Sequence, residues 1–173
     1  MKKLLAVLLC LGLAGCAMTS PSIKSTVKVC PHNIGVVAVL SFQGFRGEQF
    51  ADSVMQELIM RGVKIVERTR ITSILLEQGM NMEDITAGKV NYEKIGGLLG
   101  VDTIVVGSVS PITVYDSGAP SEKVSTASMR LVAIKNGTVI AAAYFSANTD
   151  LLMGSALYPK VAEELVNSII EKE

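Results

Sequence analysis

The sequence predicts a single-domain α/β sandwich with a mixed sheet, in the order β-α-β-α-α-β-β-β-α and ending in a C-terminal helix. Three observations carry this. Ile34 to Phe42 is an almost unbroken apolar run, as suits a strand buried on both faces. A helical apolar stripe follows it directly. Later, Asn136-Gly137 stands between two strand-like runs, where that dipeptide signals a hairpin. Alternating β and α segments early in the chain call for parallel pairing, and the late hairpin for antiparallel pairing.

The elements follow in order. After Gly44-Phe45-Arg46-Gly47 breaks the first strand, a helix is expected from Glu48 to Met60, with Phe50, Val54, Met55, Leu58 and Ile59 on one stripe and Gly62 as its stop. Val63 to Val66 is a short second strand. Thr69 is a candidate cap for the next helix, in which Ile71, Ile74 and Leu75 lead to a stop at Gly79. Asn81 to Val90 reads as a polar loop with one turn around Glu83-Asp84-Ile85. Asn91 caps a short helix carrying Ile95, Leu98 and Leu99, which Gly100 ends. Thr103 to Val109 is the third strand, and Asp116 to Lys123 reads as a loop. Val124 to Ile134 and Val139 to Ala147 form the hairpin, joined by a two-residue turn. Asp150 is a candidate cap for a last helix in which Leu157, Val161, Leu165 and Ile169 recur at i, i+4.

The N-terminus sets the location. Met1-Lys2-Lys3 is positively charged, and Leu4 to Leu13 is uncharged and apolar. Ten residues suit the ~7–15 of a secretory signal and fall short of the ~20 that span a bilayer. Leu13-Ala14-Gly15-Cys16 then resembles a bacterial lipoprotein signal. The resemblance implies a signal peptide over 1–15 and a mature chain starting at Cys16, whose thiol carries diacylglycerol and further acyl chains such as palmitate. Two or more acyl chains anchor stably where one does not. Residues 16–33, rich in Ser, Thr, Pro and Lys, read as a lipid-anchored flexible tether, and 34–173 as the folded domain. Ala17 lacks the Asp associated with retention at the inner membrane, which favours the outer membrane and its periplasmic face.

Composition excludes several functions. Without Lys2 and Lys3, 14 basic residues face 16 acidic ones, and no basic run exists to neutralise phosphates, so no nucleic acid is expected as a partner. The chain has no Trp, which argues against a stacking platform. Cys30 is expected to remain an unpaired thiol. Cys30 and His32 are two potential ligands without a third, so no metal is implied. Gly-x-Ser-x-Gly and Gly-x-x-x-x-Gly-Lys-Ser/Thr are both missing. Gly96-Gly97-x-x-Gly100 lies at a helix end before a strand, the reverse of a dinucleotide fingerprint, and reads as close helix packing followed by a cap. Glu83-Asp84 reads as a solvated turn, and Asp102 as a carboxylate bound to local backbone amides. The sequence points to no catalytic residue, no cofactor-binding residue and no cofactor, and the protein is expected not to be an enzyme.

Several segments together resemble the CsgG family, the curli production assembly/transport components. They are Val36 to Phe42; Val63 to Arg70 running into Ile74-Leu75-Leu76-Glu77-Gln78-Gly79; Ile95 to Val109; and Met129 to Val132 with the Asn136 to Ile140 hairpin. The resemblance implies an outer-membrane lipoprotein and an α/β domain. Pore-forming members add two long hairpins to a membrane barrel. Here Pro111 to Ser128 is the single candidate insertion, broken by Asp116, Ser117, Gly118, Pro120, Glu122 and Lys123. A compact, non-spanning relative is therefore expected, acting as an assembly or secretion accessory for an envelope or exported structure. Its partners would be envelope or secreted proteins, with a homo-oligomer as a candidate assembly. Activation of a peptidoglycan synthase and a reduced secretion channel are the alternatives.

Overall fold

The computed structural model describes residues 22–25, 33–81, 84–85, 89, 91–116, 118–147 and 158–170. Its elements are β1 (Ser22–Ser25), β2 (Val36–Val39), α1 (Gly47–Met60), β3 (Lys64–Val66), α2 (Arg68–Glu77), α3 (Tyr92–Leu99), β4 (Thr103–Asp116), β5 (Ala119–Ala133), β6 (Thr138–Ser146) and α4 (Tyr158–Ile169). They form one mixed sheet in the order β1-β6-β5-β4-β2-β3. β2 is parallel to β3 and β4, while β4, β5, β6 and β1 are successively antiparallel. The expected α/β class and element order hold, with one strand added in front.

Apolar residues alternate along the strands and so feed two cores. Val37 and Val39 of β2, Val105 and Val109 of β4, Met129 and Leu131 of β5 and Phe145 of β6 pack with α1 and α4. Ala38, Ile104, Val106 and Val132 pack on the other face with α2, α3 and Ile85. That second cover stops short of β6, leaving Tyr144 44% exposed. α1 and α4 are tied by Arg61, whose buried guanidinium donates to the Glu57 carboxylate at 2.8 Å and to Asn167 Oδ1.

Several boundaries differ from the sequence reading, each for a physical reason. Ser22–Ser25, expected within the tether, pairs antiparallel with β6, from Ser22 opposite Ser146 to Ser25 opposite Ala143. Four residues are too short to show a period, so the open edge of β6 makes this strand. α2 starts at Arg68 rather than after a Thr69 cap, and Glu67 precedes it without a side-chain capping bond. The loop expected over Asp116 to Lys123 is instead the end of an extended hairpin, in which Pro111 pairs with Val124 and Asp116 with Ala119. Polar residues on a two-stranded ribbon look like loop residues, because they lack the apolar alternation of a half-buried strand. The Asn136-Gly137 hairpin is present with a four-residue turn, Ala133 pairing with Thr138 and Gly137 N–H donating to Ala133 O at 2.9 Å. Asn91 caps α3 as expected, accepting from Glu93 and Lys94 N–H.

One lock fixes the register of the parallel strands. Val36 N–H donates to Asp102 Oδ2 at 2.8 Å, and Asp102 N–H donates back to Val36 O at 2.8 Å. The buried Thr103 hydroxyl donates to Ile34 O at 2.7 Å. The Asp102 carboxylate thus serves an amide 66 residues away rather than local ones. Gly35 has φ +63°, and a Cβ there would stand 2.2 Å from Asp102 Oδ2. Gly35→Ala should therefore lower stability by about 1–3 kcal/mol. Asp102→Ala should cost about 1 kcal/mol, since the lost bond is solvent-accessible, and Asp102→Asn less because its amide oxygen still accepts. Urea midpoints check this; a wild-type midpoint for Gly35→Ala would contradict the lock.

Candidate interaction surface

The two ends of the sheet differ in chemistry. We call the end where β2 finishes and α1 begins the upper end, because Ser22, Ser146, Thr126 and Ser110 stand in one row there. Above that row no described strand pairs with β4 or β5 except each other, so Pro111 to Val124 is a two-stranded ribbon leaving the sheet. A register shift at Ser110/Pro111 marks its base, where Ser125 Oγ donates to Ser110 O at 2.8 Å. Proline at 111 and 120 removes an N–H from each strand, which blunts the ribbon against further pairing.

A charged contact braces the ribbon. Arg46, the residue before α1, has φ 57°, a left-handed conformation that costs a non-glycine residue about 1–2 kcal/mol. Its Nε stands 2.8 Å from Glu122 Oε2, and its guanidinium lies 5.6 Å from the Phe45 ring centroid. Phe45 is 56% exposed, and Tyr115, further along the ribbon, is 74% exposed. Beneath them Phe42, Phe50 and Tyr158 make edge-to-face contacts. The Tyr158 hydroxyl is buried without a hydrogen-bond partner among the described residues.

A cleft of about 520 Å³ opens between α1 and α2 on the β3 side, lined by Asp52, Met55, Glu67, Arg68, Thr69, Thr72 and Ser73. Arg68 is already engaged there, 2.7 Å from Asp52 and donating to Glu48 O at 3.2 Å. The Ser73 hydroxyl donates to Thr69 O at 2.9 Å. The described lining thus offers hydroxyls and a paired arginine, and the Ser73 hydroxyl is bonded to a backbone carbonyl rather than to a base that could activate it.

The lower end exposes three large apolar side chains on its helix termini. α1 ends and β3 begins there, with Val63 N–H bonded to Leu58 O. Ile59 is 54% exposed, Met60 66%, and Leu76 in the last turn of α2 70%. The helical stripe predicts both Leu58 and Ile59 in the core; Leu58 is buried, and Ile59 is exposed. Their spacing carries no warning, because adjacent apolar residues at a helix end can serve either face.

The other expected site residues divide plainly. Cys16, the expected lipid attachment, lies outside the described residues, as do Cys30, His32, Glu83 and Asp150. Asp84 stands 3.7 Å from Lys89 and its N–H donates to Asn81 Oδ1. Gly96 serves packing: a Cβ there would meet Ile134 Cγ2 at 1.9 Å, and Gly100 N–H bonds to Gly96 O as the helix ends. Among the described residues, no group of three or more His, Cys, Asp and Glu side chains could hold a metal ion. No described helix is long and apolar enough to cross a membrane.

No family model and no curated protein matches the chain. Solved structures share its fold. Lipoprotein GNA1162 from Neisseria meningitidis is 23% identical at a TM-score of 0.51, over 78% of this chain and 99% of that one. The PelC dodecamer from Paraburkholderia phytofirmans is 13% identical at a TM-score of 0.54, over 86% and 98%. The LpoB C-terminal domain from Escherichia coli stands further off, at 0.46 and 13%, over 82% and 93%. The CsgG resemblance is thereby corrected: no family model and no curated protein supports it, and the solved structures that share the fold include GNA1162 and PelC. The blocks that suggested it sit at helix ends and in buried strands, positions that any sheet of this topology fills similarly.

The buried phenol gives a pH test. Burial pushes the Tyr158 pKa above its ordinary 10.0, and Glu122 adds to the rise against Arg46, which lowers it. Below pH 10 the phenol is neutral in both states and full stability is present. Above it the unfolded chain releases the proton first, so this contribution is lost as pH rises toward the folded pKa. Tyr158→Phe should flatten the alkaline loss without destabilising the protein at pH 7, as read from melting curves between about pH 7 and 11.

Proposed function

We propose that this chain is an envelope lipoprotein, anchored through Cys16 on the periplasmic face of the outer membrane, that acts without catalysis by holding a protein partner. The observation that carries this reading is the exposure of Ile59 and Met60 at the end of α1 and of Leu76 in the last turn of α2. Adjacent exposed large apolar side chains such as Ile59 and Met60 mark contact surfaces, and methionine adapts to its partner. The lower end also lies opposite Ser22, the described residue nearest to Cys16 in sequence, so an anchored domain would present it away from the bilayer.

The partner is an envelope protein or further copies of the chain, and PelC, which shares the fold, assembles as a dodecamer. A peptidoglycan synthase is a partner of this kind, and the same grip would serve to activate it. In that case the synthase comes to the domain, because the chain from Cys16 to Ser22 is short.

A photo-crosslinking residue at Leu76 in cells should give one discrete adduct. Met60→Glu should weaken that adduct roughly tenfold, as for an anchor in a contact worth about 1–2 kcal/mol, while leaving stability within about 0.5 kcal/mol because the site is exposed. An adduct unchanged by Met60→Glu, or no adduct at all, would remove the lower end as the contact surface. Turnover of an envelope substrate by the purified chain would overturn the non-catalytic reading.

A further inference from the structure

Ser22, six residues after Cys16, and Ser110, six residues before the end of the ribbon, stand in the same row of the sheet. Antiparallel pairing places Ser22 opposite Ser146, Ser146 opposite Thr126, and Thr126 opposite Ser110. β1 runs downward from Ser22, so the chain preceding it starts at the upper end. Cys16 is six residues before Ser22, a reach of at most ~22 Å at ~3.3–3.6 Å per residue. Asp116, at the end of the ribbon, is six residues beyond Ser110, ~20 Å at ~3.4 Å per residue.

We infer that the ribbon tip rests on the lipid surface that holds Cys16, giving the domain a second point of contact with the membrane. This rests on the lipid-anchor reading above. With so short a reach, the domain cannot stand off from the bilayer by more than about the ribbon's own length. Tyr115, 74% exposed, is the tip's amphipathic side chain, with an apolar ring and a polar hydroxyl of the kind that settles at headgroup level. The ribbon is made to bear on a surface: both strands pair to the turn at Gly118, and Arg46 clamps Glu122 from the body of the domain. Its prolines discourage strand addition, which favours a lipid surface over another strand as its contact. Two points of support fix the orientation, with the lower end facing away.

The chain contains no Trp, so a single replacement gives a clean reporter. Full-length Tyr115→Trp and, as a control in the lower turn, Lys135→Trp would be extracted from membranes with their lipid. Both would be reconstituted into phosphatidylethanolamine–phosphatidylglycerol vesicles with or without brominated lipid. The indole of Tyr115→Trp should show blue-shifted emission that brominated lipid reduces at least ~2-fold, as expected of an interfacial aromatic. The indole of Lys135→Trp should stay unquenched. A Tyr115→Trp chain that floats with the vesicles while its indole remains unquenched overturns the contact but keeps the anchor. Emission that is blue-shifted yet unquenched in that variant reports burial against protein and also overturns the contact. A chain whose mass shows no lipid on Cys16 and that does not float overturns the anchor reading and this inference together.

Discussion

The parallel pairing of β2 with β4 begins where the backbone of Val36 and both the backbone and carboxylate of Asp102 bind one another across 66 residues of sequence. Gly35 makes the approach sterically open. Thr103, the next residue, holds the Ile34 carbonyl, and the Asp102 carbonyl accepts from Ile134 at the end of the β5 hairpin. One short segment therefore aligns three strands at the lower end. A slip of one residue there would exchange the two faces of β2 and send Val37 and Val39 to the wrong core. The upper ribbon, the row containing Ser22 and the placement of α1 all depend on that alignment.

From this register follows a molecule with two unlike ends. The upper end carries a hairpin, an ion pair and Ser22, the first residue of β1. The lower end carries helix termini with uncovered apolar side chains. On the proposed reading, the upper end would meet the bilayer and the lower end a protein partner, dividing two different demands between opposite ends of a single sheet. The α1–α2 cleft lies to the side of this axis, and its arginine is already neutralised by Asp52.

Features written in a few neighbouring residues were legible in the sequence. The double-sided burial of β2, the caps at Asn91 and Gly100, the presence of the Asn136-Gly137 hairpin and the Val161, Leu165, Ile169 stripe of α4 are each of this kind. What was missed depends on distant partners. Ser22–Ser25 is a strand because β6 offers an edge, and Pro111 to Val124 is a ribbon because its two halves find each other despite polar composition. Ile59 is exposed although Leu58 beside it is buried, because two adjacent residues on a helix point about 100° apart. The family resemblance failed for a related reason, since residues that define a fold carry little about lineage or function.

The measurement that bears most directly on the central claim is the mass of the lipidated full-length protein, extracted from membranes in a mild detergent. Contact through the lower end predicts a discrete assembly heavier than one chain, of copies of itself or with one defined protein. A bare monomer, with its lipid present and its fold intact, would contradict it.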